Sequence, residues 1–84
     1  MKNYTVNIKI TPLKAVNDPR GTQVMNGLKN LGYANLNNVS VGKYIVISIK
    51  AKNKEECEKL IQKACEDFLS NPLIEEYSLE INES

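Results

Sequence analysis

The chain has 84 residues, a formal net charge of +1 and no histidine. We place a single small domain over residues 1–84, and the near-zero charge gives no reason to expect a nucleic-acid or membrane partner. The missing histidine excludes a Ser–His or Cys–His nucleophile within the chain. The N-terminus lacks the apolar core of a signal peptide, and the longest strongly apolar run (44–47) is too short to span a membrane, so we expect a cytoplasmic protein.

The first two predicted elements are a strand at 4–11 and a helix that begins near residue 18. Apolar and polar side chains alternate along the strand, which indicates a half-buried strand that ends at Pro12. Asp18 is suited to be the helix N-cap, with Pro19 at the first helical position. Gly32 is suited to end the helix in a left-handed conformation. The helix carries an apolar stripe at helical spacing: Val24, Leu28 and Leu31.

The stretch DPRG at 18–21 raises the alternative of a phosphate-binding loop. Such a loop needs more glycines or a Lys-Ser/Thr pair, and neither follows. We therefore interpret it as a helix start, at which Arg20 could assist weak anion binding.

The second half of the chain predicts two strands, a helix and a last strand. The strands are a weak one at 36–41 and a strong one at 43–51, joined by a type II′ turn at Gly42-Lys43. The helix at 53–71 begins close to a capping box, and the last strand covers 75–82. The helix has a broad stripe of side chains expected to face the sheet: Cys57, Leu60, Ile61, Ala64, Cys65, Phe68 and Leu69.

The predicted order β-α-β-β-α-β is that of the ferredoxin-like fold. We expect an α+β sandwich with a four-stranded antiparallel sheet and two helices on one face. The open face would expose Tyr44 and Val46, either as a protein interface or as ordinary scattered apolar residues.

Neither the cysteines nor the aromatic residues indicate a reactive or RNA-binding site. Cys57 and Cys65 would lie about 12 Å apart along one helix, too far for a disulfide with each other, so we expect buried thiols. Two cysteines without histidine make an improbable metal site. An RNA-binding sheet needs several aromatic side chains on its central strands, and only Tyr44 is near the right place. We assign no catalytic, cofactor-binding or metal-binding residue.

Four stretches together resemble the PurS family, the small subunit of phosphoribosylformylglycinamidine (FGAM) synthase. They are VNIKI (6–10), DPRG (18–21) with a helix ending LGY (31–33), VGKYIVISI (41–49) and FLSNPLIEEYSLEI (68–81). The chain departs from the family pattern at Arg20, where glutamine is usual, and at Ser40, where arginine is frequent. Partner contacts at these two positions can therefore differ from those of relatives.

The resemblance implies an essential, non-catalytic subunit of a ligase complex in de novo purine biosynthesis. The chain would bridge a PurL-like ATP-dependent synthase subunit and a PurQ-like glutaminase, and would support ammonia transfer from glutamine to formylglycinamide ribonucleotide. It would form a homodimer or higher homo-oligomer. It would need no cofactor of its own, because ATP and Mg²⁺ belong to the large subunit.

We expect partner docking at three loops, although each loop could equally be only a turn. The candidate residues are Asp18, Pro19, Arg20, Gly21, Gly42, Lys43, Tyr44, Asn71, Pro72, Ile74, Glu75 and Tyr77. The alternative function is a stand-alone small-metabolite-sensing module of ferredoxin-like fold. That module needs a glycine-rich loop after the first strand, and residues 11–21 offer only Gly21. An independent enzyme is the third possibility.

Overall fold

The computed structural model describes residues 1–14 and 18–84. The strands are β1 (Lys2–Pro12), β2 (Lys43–Ala51) and β3 (Glu75–Glu83), and the helices are α1 (Pro19–Asn30) and α2 (Lys54–Ala64). A π-helical turn at Cys65–Leu69 continues α2. The strands form an antiparallel sheet in the order β2-β1-β3. None of the described helices has the length and apolar character needed to cross a membrane.

The core lies between the central strand β1 and α2. Four side chains of β1 are almost completely buried, as their alternation predicts: Tyr4, Val6, Ile8 and Ile10. The helix buries one line of its side chains against them: Cys57, Ile61 and Cys65. Both cysteines are free, and burial raises the pKa of each thiol. The prediction of buried thiols is confirmed.

The helix ends follow the predicted capping residues. Asp18 is the N-cap of α1 and Pro19 occupies its first turn. Gly32, just past the end of α1, has a φ of 104°, the left-handed conformation that glycine adopts without strain. At the start of α2, Asn53 Oδ1 accepts a hydrogen bond from the Glu56 N–H at 2.8 Å. The Glu56 carboxylate in turn accepts a hydrogen bond from the Lys52 N–H at 3.2 Å. In a standard capping box it would bind the N–H of the N-cap itself, which is one residue later.

The prediction of a four-stranded sheet is wrong, because residues 36–41 do not form a strand. The start of α1 uses the backbone of this segment instead. The Val41 N–H donates to the Asp18 carboxylate at 3.0 Å, and the Val39 carbonyl lies directly against Gly21. Two consecutive asparagines at 37–38 also disfavour a strand.

The predicted type II′ turn at Gly42-Lys43 is also wrong. That turn needs a positive φ at Gly42, and within residues 1–14 and 18–84 the positive φ occurs at Gly32 alone. Gly42 lies against the Ile10 carbonyl, at a distance that a Cβ atom would not allow. Its missing side chain therefore lets the chain enter β2 close to β1, and pairing begins at Ile10 with Lys43.

The two helices do not share one face of the sheet as predicted. Only α2 packs on the sheet, whereas α1 has at most marginal contact with any other described helix or strand. Phe68, expected to face the sheet, is 87% exposed, because α1, the other described helix, does not lie beside α2 to cover it. Leu60 is likewise exposed. The fold is therefore an α+β domain with one covering helix and one projecting helix.

Candidate partner-docking surface

The three candidate loops lie at one end of the sheet, here called the loop end and defined by residues 18–21, 42–44 and 71–75. Antiparallel pairing brings the second and third loops together. Ile10 pairs with Lys43 on one side of β1, and Pro12 pairs with Glu75 on the other. The Leu13 N–H also donates to the Ile74 carbonyl at 2.9 Å. Sequence reasoning identified the loops singly. The strand register brings 42–44 and 71–75 together, and the contact of Asp18 with Val41 adds 18–21 to the same end.

Lys43 and Glu75 connect the second and third loops. Lys43 Nζ donates to the Leu69 carbonyl at 3.2 Å and lies 3.7 Å from the Glu75 carboxylate. The same carboxylate accepts a hydrogen bond from the Asn71 N–H at 2.9 Å. The Glu75 side chain is only 14% exposed, so this ion pair is partly shielded from solvent. These contacts hold the 71–75 loop against the start of β2 and give the loop end a defined shape.

Asp18 and Gly21 connect the first loop to the segment before β2. The Val41 N–H is the main cause that holds the pKa of Asp18 below its usual value of 3.8, followed by the backbone N–H of Gly21. Asp18 makes no side-chain hydrogen bond within its own helix, so the first-turn N–H groups act on it as nearby dipoles. Because a carboxylate already occupies the helix N-terminus, a phosphate there would meet a negative charge. The geometry therefore favours the helix-start interpretation of DPRG.

An open cleft of about 360 Å³ lies beside Asp18. Its charged side chains are Asp18 and Lys14, and its neutral polar lining includes Thr22 and Ser40. Neither in this cleft nor in the other described parts of the chain is a group of three or more Cys, Asp or Glu side chains placed to hold a metal ion.

The candidate residues divide by exposure into those that could touch a partner and those that serve the fold. Gly21 is buried, Asp18 and Glu75 are half-buried, and Tyr77 packs on the core from β3. Burial also raises the pKa of the Tyr77 hydroxyl. The exposed candidates are Pro19, Arg20, Gly42, Lys43, Tyr44, Asn71, Pro72 and Ile74. Their docking role stays a prediction.

Sequence reasoning placed Leu73 within the candidate 71–75 loop, and its side chain is 84% exposed. It missed one feature of the loop end. The contacts of Val39 and Val41 with the start of α1 had no local signal, because they join residues about twenty positions apart.

A three-stranded antiparallel sheet covered by one helix, with its loops gathered at one end, defines a small α+β domain. The family model described as "PurS: Phosphoribosylformylglycinamidine (FGAM) synthase" matches residues 5–83, and the chain belongs to this family. The resemblance carried by the four stretches is thereby confirmed.

Individual relatives agree with the family assignment. The chain is 35% identical to the FGAM synthase subunit PurS of Synechocystis over 79 residues, which cover 94% of this chain and 79% of the relative. The Bacillus subtilis PurS structure superposes with a TM-score of 0.86 at 31% identity, covering 95% of this chain and 99% of that one. A chain in the structure of PurLQS from Thermotoga maritima has a TM-score of 0.84 at 32% identity, with both chains fully covered.

Proposed function

We propose that the chain is the non-catalytic small subunit of an FGAM synthase. It bridges a PurL-like ATP-dependent subunit and a PurQ-like glutaminase, and it supports the transfer of ammonia from glutamine to formylglycinamide ribonucleotide. It acts in the cytoplasm and forms a homodimer or a higher homo-oligomer. ATP and Mg²⁺ bind to the large subunit, and this chain needs no cofactor of its own.

One observation carries the proposal. The whole chain superposes on the whole of a chain in the Thermotoga maritima PurLQS structure, so nothing in the fold separates it from a subunit found in such a complex. The loop end supports a binding role, because its loops are held by internal contacts while Arg20 and Leu73 stay exposed. A pre-ordered surface loses little conformational entropy on docking.

Reconstitution with the matching large subunit and glutaminase tests the proposal. We expect product formation with glutamine to require this chain, while product formation with an ammonium salt requires it much less. If the chain changes neither rate and does not elute with the other subunits, the proposal fails and the metabolite-sensing alternative takes its place.

Two variants locate the docking surface within the same assay. Leu73→Thr removes an exposed apolar side chain from the loop end, and we expect it to weaken co-elution and glutamine-dependent turnover. Val46→Thr makes the matching change on the open face of β2, where Val46 is 58% exposed, and we expect no effect. The reverse pattern would place docking on the open sheet face.

A further inference from the structure

The 71–75 loop carries an exposed apolar side chain on a hydrogen-bonded backbone. The Asn71 carbonyl accepts hydrogen bonds from the N–H groups of Ile74 at 3.0 Å and Glu75 at 2.7 Å. Asn71 Oδ1 accepts a third bond, from the Leu73 N–H at 3.1 Å. The Leu73 side chain is nevertheless 84% exposed. In water, an apolar side chain held in this position favours burial against another apolar surface.

Lys43 and Glu75 fasten this loop to the sheet and to the end of the helical segment. Lys43 alternates in phase with Ile45 along β2, so its side chain lies on the side of the sheet that α2 covers. There its Nζ donates to the Leu69 carbonyl and lies 3.7 Å from one oxygen of Glu75. The other oxygen of Glu75 accepts the Asn71 N–H. A continuous chain of contacts therefore runs from β2 to the residue that organises the loop.

The contact of Lys43 with Leu69 fixes the point where the loop leaves the helical segment. Leu69 is the last residue of the π-helical turn. The final carbonyl groups of a helix have no partner within it, and a cation near them also interacts favourably with the helix dipole. The next residue, Ser70, is buried, and its hydroxyl donates to the Cys65 carbonyl at 3.0 Å. The loop is thus held at its start as well as at its end.

The burial of the ion pair indicates that it orders the loop. The Glu75 side chain is 14% exposed and that of Lys43 is 45% exposed, and their charges face each other and backbone groups. Leu73 is the side chain of the loop that is most available to another protein. Glu76, directly after the loop, adds an exposed negative charge. A surface that receives Leu73 should therefore be apolar with a positively charged border.

We propose that Leu73 inserts into an apolar pocket with a positively charged border on a partner subunit of the synthase, and that Lys43 and Glu75 are positioning residues that hold Leu73 in place for it. The inference rests on the proposed function, because it needs those subunits. A loop that is already ordered loses little conformational entropy on docking. Loosening the loop should therefore weaken binding without removing a contact with the partner.

The first test measures the order of the loop in this chain alone, by amide hydrogen exchange. We expect the N–H groups of Asn71 and Leu73 to exchange faster in Lys43→Met and Glu75→Ala than in the wild type. Lys43→Arg keeps the cation and should restore protection, and Lys50→Met, at the other end of β2, is the matched control. Unchanged exchange in Lys43→Met, or equal loss in the control, would overturn the positioning role. Loss of protection along β1 as well would overturn it too, because Lys43 would then support the whole fold.

The second test measures binding to the large subunit and to the glutaminase by isothermal titration calorimetry. We expect Leu73→Thr to weaken binding by about tenfold and Lys43→Met by about two- to tenfold. If Lys43 acts through Leu73, adding Lys43→Met to Leu73→Thr should cause little further loss. Lys43→Arg should bind like the wild type. Additive losses would show that Lys43 itself contacts the partner, and would overturn its positioning role.

The remaining outcomes separate this inference from the proposed function. If the wild type binds a partner subunit and neither Leu73→Thr nor Lys43→Met lowers the affinity, the inference fails and the proposed function stands. If the wild type binds neither subunit, both fail. If Leu73→Thr changes the mass of the chain alone in light scattering, Leu73 packs on a second copy, and the pocket on a partner subunit is refuted.

Discussion

Substitution of Gly21 tests directly whether the start of α1 packs against the backbone of Val39. A Cβ atom added at Gly21 would collide with the Val39 carbonyl and would lie 2.8 Å from the Asp18 carboxylate. Gly27, two turns along the same helix, has nothing within 4 Å of an added Cβ. Gly21→Ala and Gly27→Ala therefore make the same chemical change in one helix. The added methyl group meets the Val39 carbonyl at Gly21 and open space at Gly27.

The expected free energies of unfolding follow from that difference. Gly27→Ala should stabilise the domain by about 0.5–1 kcal/mol, because alanine loses less backbone entropy in a helix. Gly21→Ala gains the same amount but must displace the 39–41 segment, and overpacking of this kind costs about 1–3 kcal/mol. The two variants should therefore differ by about 1–3 kcal/mol, with Gly21→Ala the less stable.

Urea unfolding at one fixed chain concentration measures this difference, since oligomerisation makes stability depend on concentration. Equal slopes with shifted midpoints would show a change in stability alone. If Gly21→Ala proves as stable as Gly27→Ala, the close packing of α1 on residues 39–41 is refuted.

Two further predictions concern the pH response and the core. Because the folded pKa of Asp18 lies below 3.8, its ionised form contributes stability that is present above that value and is lost as the pH falls through the folded pKa. The melting temperature of the wild type should therefore exceed that of Asp18→Asn at neutral pH, and the gap should close in acid; a gap independent of pH would contradict the Val41 contact. Ile8→Ala empties a fully buried position in the central strand and should cost about 2–5 kcal/mol, whereas Val46→Ala on the exposed face should stay within about 0.5 kcal/mol. Equal losses in urea unfolding would mean that β1 is not the centre of the core.

The elements that sequence reasoning predicted correctly depend on neighbouring residues. Alternation along β1 places its apolar side chains on one face, because successive residues of a strand point to opposite faces. Asn53 caps α2 through a residue three positions away, and Gly32 ends α1 because a left-handed residue is needed there. The candidate loops could be identified for the same reason, since turn residues carry their own conformational preferences.

The elements that sequence reasoning missed depend on distant residues. Residues 36–41 could form a strand or could bind the start of α1. The Val41 N–H donates to the Asp18 carboxylate, 23 positions away, and this contact favours the second arrangement. The stripe of α1 showed that the helix has an apolar face, but not which surface would cover that face. By itself, then, the sequence determined the strands β1 to β3, both helices and the family. Only the tertiary structure decided that α1 projects from the sheet, because that choice depends on contacts between segments far apart in the chain.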